Sequence, residues 1–182
     1  MFILYAVVAG VAIGFLVGGH LEGLASLGLR WAPLAIAGLV VQLLVFGPLA
    51  STVGSAGTPL YVGSTIAVLV AVARNIRVPG LALVVLGAVS NLVAIVANGG
   101  IMPADPGAVA LAGLATDPGF SNSAVIASPA LAPLTDIFAL PAGVPLANVF
   151  SVGDVLIGLG IAIAIAAGMR RTGAVQARTS YD

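Results

Sequence analysis

The chain has 182 residues, 60% of them hydrophobic and 7% charged, with a mean hydropathy of +1.22; a typical soluble domain is about 25% charged. The net charge is zero, lysine and cysteine are absent, and His20 is the single histidine. These facts exclude a phosphate-tracking surface for nucleic acid, disulfides, a thiol nucleophile and a multi-histidine metal or haem site, and no cofactor is implied.

Such a composition describes an integral membrane protein, so the useful unit is a segment able to cross ~30 Å of hydrocarbon, about 20 apolar residues. There is room for about five. The N-terminus shows neither a positive n-region nor a cleavage site before a polar mature start, so the first segment reads as a retained span. It covers about residues 1–17, and Gly10, Gly14 and Gly18 recur every fourth residue on one helix face. That is a small-residue stripe suited to close helix packing. His20, Glu22 and Arg30 follow in a polar connection closed by Trp31, an interfacial anchor.

The second span, about 32–49, contains Gln42 as its one strongly polar residue. A mid-membrane Gln hydrogen-bonds another helix more often than a ligand. A Gly/Ser turn region leads to a third span at about 59–73. Arg74 and Arg77 lie in the next connection, and its Pro-Gly pair marks a tight turn. The fourth span, about 81–97, carries Asn91 near its middle, read as glue between helices ahead of any catalytic use.

A long, proline-rich yet apolar connection occupies residues 99–149 and carries Asp105, Asp117 and Asp136. Asp105-Pro106 is a helix start, Asp as N-cap and Pro at the first helical position, and opens a short helix ending before Asp117. That helix and the proline-broken stretch around Asp136 are too short to span, so the connection is expected to form a partly helical cap at the membrane surface. The fifth span runs over about 150–169, with Gly160, Ala164 and Gly168 as a second small-residue stripe. Arg170 and Arg171 open a short polar tail, residues 170–182.

Basic residues are retained on the cytoplasmic side. With five spans, every arginine falls on one side, which puts the N-terminus outside, the C-terminus in the cytoplasm and the aspartate-bearing connection on the outer face. The fold class expected is an all-α membrane bundle, one membrane domain over residues 1–169.

The sharpest chemical signal is Asp154, a carboxylate just inside the last span. If Asp136 meets it, the two carboxylates can share a proton and act as acid and base toward a scissile amide. The structural alternative has its own mechanism. Ser151 and Asp154 fit the Ser-x-x-acid capping box, with the serine oxygen on a backbone N–H and the acid reaching back to the Ser151 amide.

With NGGIMP closing the fourth span and VFSVGD opening the last, the chain resembles the bacterial family catalogued as domain of unknown function 5317, over nearly its whole length. The resemblance implies a small bacterial inner-membrane protein and supplies no activity. The latter half is also similar to prolipoprotein signal peptidase, an intramembrane aspartyl protease whose motifs read Gly-Ala-x-Gly-Asn, Val-Asp-Phe and Phe-Asn-x-Ala-Asp. The counterparts are GAVSN ending at Asn91, LTDIF containing Asp136 and FSVGD containing Asp154, in the same order. The Asp-Arg pair that follows that family's Asn is missing, and Ser151 stands where its last motif has Asn, so only Asn91, Asp136 and Asp154 carry over.

Two functions stand ahead of a third, a transporter or channel, for which Gln42, Asn91 and one intramembrane carboxylate make a thin polar pathway without a clear inverted repeat. One is a noncatalytic accessory or scaffold component whose two glycine stripes pack against other helices in the bilayer and so mediate association with partner subunits or with itself. The other is an aspartyl membrane hydrolase using Asp136 and Asp154.

Overall fold

The computed structural model describes residues 2–114 and 123–171, and the chain is mostly helical. The longest elements are α1 (Phe2–Leu16), α3 (Ala32–Phe46), α4 (Gly57–Ala73), α5 (Leu81–Ala97) and α7 (Val152–Met169). Two shorter helices, α2 (Glu22–Ala25) and α6 (Pro106–Ala112), lie in the connections. With its leading 3-10 turn, α4 forms a 20-residue apolar segment, Gly54–Ala73, and together with the 18 residues of α7 it is long and apolar enough to cross a membrane. The other three long helices have 15–17 residues.

Helix ends follow local chemistry. Pro33 opens α3, and Gly47-Pro48 stops it. Gly80, with φ +88°, turns the chain into α5, and a Cβ there would strike the Gly160 carbonyl, so this turn requires glycine twice over.

The helix at the centre is α7, the last in sequence. Helix α1 packs along one side of it, and parallel to it: Phe2 and Ala6 meet Gly158, Gly10 meets Ala162 and Ile165, and Gly14 meets Met169. Helix α5 packs antiparallel on the other side, with Gly87 against Gly153 and Gly80 against Gly160 and Ala164. Helix α4 links α5 to α3. Both glycine stripes are therefore filled within the chain. A Cβ on Gly10 would lie 2.8 Å from the Ala162 Cα, and one on Gly168 would lie 3.0 Å from both Leu24 and Leu27.

Gly18 departs from the stripe expected of it. Helix α1 ends at Leu16, and Gly18 follows in a left-handed turn with φ +76°, donating to Phe15 O, with nothing within 4 Å of a Cβ. Its every-fourth-residue spacing outlasts the helix that would have given it meaning.

In its described residues the long connection carries strands beside the helix expected of a partly helical cap. Strand β1 (Met102–Ala104) pairs parallel with β2 (Ser123–Val125), and β3 (Phe138–Leu140) pairs antiparallel with β4 (Asn148–Phe150). Asp105 caps α6 as expected, accepting from the Ala108 amide at 2.9 Å. The helix nevertheless ends at Ala112, because Gly113 turns left-handed there with φ +65°. Ala108 and Ala112 pack on Val149, joining α6 to the β3–β4 ladder. Asn98, at the end of α5, holds the connection down by donating to Ala130 O and accepting from Ala130 N. Asp117 and Arg178 lie outside the described residues.

Charge is sorted along the bundle. Arg30, Arg74, Arg77, Arg170 and Arg171 sit at one end, where Asn75 bonds both backbone groups of Arg30 and the His20 amide donates to Met169 O. Asp105, Asp136 and Asp154 sit at the other. Between the ends the outward side chains are apolar; Val8, Leu43, Leu86, Val96 and Leu159 are all more than half exposed.

Overpacking a close contact costs about 1–3 kcal/mol. Gly10→Leu and Gly14→Leu are therefore expected to lower the unfolding temperature of the purified protein, followed by circular dichroism. Gly63→Ala, in open space on α4, should leave it unchanged or slightly raised. An unshifted Gly14→Leu transition would contradict the parallel α1–α7 contact.

Candidate functional site

The polar site is built where α5 and α7 touch backbone to backbone. A Cβ on Gly153 would lie 2.7 Å from the Gly87 carbonyl oxygen and would collide with the Asn91 side-chain oxygen. Two glycines thus clear the space that lets Asn91 reach the first turn of α7.

There Asn91 Nδ2 donates to Asp154 Oδ1 at 2.9 Å, and Ser151 Oγ donates to Asn91 Oδ1 at 2.8 Å. The orientation of the Asn91 amide follows from its neighbours, since a carboxylate oxygen accepts and a hydroxyl can give. The capping box is complete: the Asp154 amide donates to Ser151 Oγ at 3.0 Å, and the Ser151 amide donates to Asp154 Oδ2 at 3.0 Å. Ser151 Oγ also lies 3.1 Å from Asp154 Oδ2, so its single proton has two acceptors in reach. Ser151 is fully buried, and among the described residues no buried side-chain nitrogen or oxygen lacks a partner.

Asp136 reaches the same region from the connection. Its backbone is clamped to β1, with its amide donating to Pro103 O at 2.9 Å and its carbonyl accepting from the Asp105 amide at 3.0 Å. The residue is 6% exposed. Asn91, Asp136 and Asp154 all line one cavity of about 400 Å³, with Tyr61 and Asn148 as its other polar walls. Its apolar walls include Phe2, whose ring stacks on Phe150 at 4.4 Å, together with Ile95 and Met102.

Gln42 is elsewhere. Its Nε2 donates to Thr65 Oγ1 at 3.2 Å, and Thr65 in turn donates to Tyr61 O, a link between α3 and α4. Among the described residues no three of His, Cys, Asp or Glu come together as a metal site would need.

Sequence reasoning singled out Asn91, Ser151, Asp136 and Asp154 but missed Gly87, Gly153, Tyr61 and Asn148. Gly87 could have been found, because it lies one turn before Asn91 on the same helix face. Tyr61 and Asn148 carry no local signal; only the folded connection brings them to the cavity.

Fold and site together define a mostly helical protein, with two helices long and apolar enough to cross a membrane and an Asn–Ser–Asp network beside a polar cavity. Residues 26–166 match the family described as "Family of unknown function (DUF5317)", and the chain belongs to that family. No curated protein and no solved structure matches the chain, and the likeness to prolipoprotein signal peptidase finds no support in these comparisons.

Hydrogen bonds to a charged group contribute roughly 1.5–3 kcal/mol each. Asn91→Ala and Asp154→Ala should each lower stability, and the double variant should lose less than the sum of the singles, by 0.5 kcal/mol or more on the usual scale for residues in one network. Strict additivity in equilibrium unfolding would mean that the α5–α7 network is not a unit.

Proposed function

We propose that this protein is a small multi-pass component of the bacterial inner membrane, crossing it five times with the N-terminus outside, and that its role there is noncatalytic. Several observations support the membrane setting. All arginines of the described residues sit at one end, the cytoplasmic end by the positive-inside rule. The two longest apolar segments are only 22% and 33% buried within the chain, unlike the core helix of a soluble protein. Helices of 15 residues are about 22 Å long at 1.5 Å per residue, and a short hydrophobic length is accommodated by local thinning of the bilayer.

The noncatalytic role rests on one observation: both oxygens of Asp154 are engaged by the chain's own donors, Asn91 Nδ2 on one and the Ser151 amide on the other. A carboxylate used to start α7 and tie it to α5 is a structural part. Because the glycine stripes are filled internally, an accessory or scaffold role would use the apolar outer faces of the bundle to meet a partner.

A second reading, the aspartyl hydrolase, is favoured by the shared cavity of Asp136 and Asp154. The two diverge on Asp136→Asn. In the noncatalytic reading the protein isolated from its native membrane in nanodiscs runs as a complex larger than its own 17.8 kDa, and Asp136→Asn preserves that complex. A monomer whose Asp136→Asn variant accumulates an uncleaved membrane substrate would support the hydrolase instead.

Orientation has its own test, since the chain contains no cysteine. With a membrane-impermeant maleimide on intact cells, Ser55→Cys should label at once and Ala25→Cys only after permeabilisation. The reverse pattern would invert the topology.

A further inference from the structure

We propose that α3 is a self-association face: two copies of this chain pair in the bilayer along α3, with Gln42 bonded to the partner's Gln42. The inference rests on the membrane setting and goes beyond it in naming the partner and the bond. The long helices pack in the order α1, α7, α5, α4, α3, so α3 is an edge helix whose outward side the chain leaves open. Ile36, Leu39 and Leu43 are spaced to share one side of that helix, and all are at least half exposed. Beside them lies an open groove of about 520 Å³, lined by Leu39, Gln42, Leu43, Phe46 and Gly47 of α3 and by Tyr61 of α4.

Gln42 decides what the groove takes. Thr65 has one hydroxyl proton and gives it to Tyr61 O at 2.8 Å, so towards Gln42 it can only accept, and Gln42 presents Nε2 to it at 3.2 Å. The amide orientation is thereby fixed. Gln42 makes no other hydrogen bond among the described residues, so Oε1 and the second Nε2 proton are left over on a residue that lines the groove. In hydrocarbon a leftover amide group is costly. An acyl chain brings no donor and a lipid ester carbonyl only accepts, so neither satisfies Oε1. A second copy does: two primary amides facing each other exchange N–H···O bonds in both directions, each using the donor and the acceptor that Thr65 leaves. Copies of one topology pair about a two-fold axis along the membrane normal, which holds equal residues at equal depth. Gln42 therefore meets the partner's Gln42, and the exposed Leu39 and Leu43 supply the packing around the polar pair.

The chain contains no cysteine, so single cysteines report proximity. In native membranes oxidised with copper phenanthroline, Leu43→Cys is expected to form a disulfide-linked species of twice the 17.8 kDa chain mass. Val8→Cys on α1 and Leu159→Cys on α7, also exposed, should stay monomeric. The purified full chain in density-matched detergent should show a monomer–dimer equilibrium by sedimentation, and Gln42→Leu should weaken it roughly eightfold, the scale of two interhelical hydrogen bonds. Leu39→Ala combined with Leu43→Ala removes only side chains at least half exposed; it should weaken the dimer too, and it decides the matter if Gln42→Leu fails to fold. A chain that stays monomeric at every concentration, Leu43→Cys cross-linking no better than Val8→Cys, a Gln42→Leu dimer of full affinity, or a dimer untouched by the double alanine change would each overturn the proposal. A monomer that copurifies with phospholipid would overturn it as well and give the groove to an acyl chain. Recovery of the chain in the soluble fraction of lysed cells would defeat the membrane setting itself, and the pairing with it.

Discussion

The arrangement depends on the contact between the backbones of α5 and α7 at Gly87 and Gly153. Helix axes usually lie 8–10 Å apart because side chains stand between them, and here two missing side chains remove that spacer. Only then can the short Asn91 side chain bridge to Ser151 and Asp154. The consequence reaches beyond one hydrogen bond. Helix α7 is the central element, with α1 on its other side, so fixing its first turn against α5 also fixes the register in which Gly10 and Gly14 meet Ala162 and Met169.

Polar groups inside an apolar bundle are tolerable when each has a partner, because no water is at hand to replace one. The bundle meets this condition pairwise. Gln42 finds Thr65 across the α3–α4 contact, and Asn91 finds Asp154 across α5–α7. Among the described residues charged groups are displaced to the ends instead, the arginines to one and Asp105, Asp136 and Asp154 to the other. Such sorting suits a chain whose middle contacts hydrocarbon, and it leaves the aspartate end as the place where chemistry or binding can occur.

What could be read from the sequence was local. The capping box at Ser151 and Asp154, the Asp105 cap and the Pro-Gly turn before α5 each depend on residues within a turn of one another, and the structure has them at those positions; the stop of α3 at Gly47-Pro48, inside the expected second span, was not read. The small-residue stripes were legible as packing faces, but their partners were not, because spacing along one helix says nothing about which helix will lie upon it. Gly18 shows the limit of spacing most plainly: the period continues past Leu16, while the helix does not. Strands β1 to β4 were invisible, since three residues such as Met-Pro-Ala or Phe-Ala-Leu hold no alternation to read. The cavity was legible least of all. Asp136 and Asn148 reach it through long-range pairing of β1 with the Asp136 backbone and of β3 with β4.

The two roles considered for Asp154, cap and site residue, prove compatible once its lone pairs are counted. A carboxylate offers about four acceptor positions. Asn91 takes one on Oδ1, the Ser151 amide takes one on Oδ2, and the Ser151 hydroxyl competes for a third while also being drawn to Asn91 Oδ1. At least one position is left, on a residue that lines the cavity. Its geometry is set by these bonds, so the carboxylate faces the cavity in a fixed position. The helix cap and the cavity wall are then the same carboxylate, used from two sides.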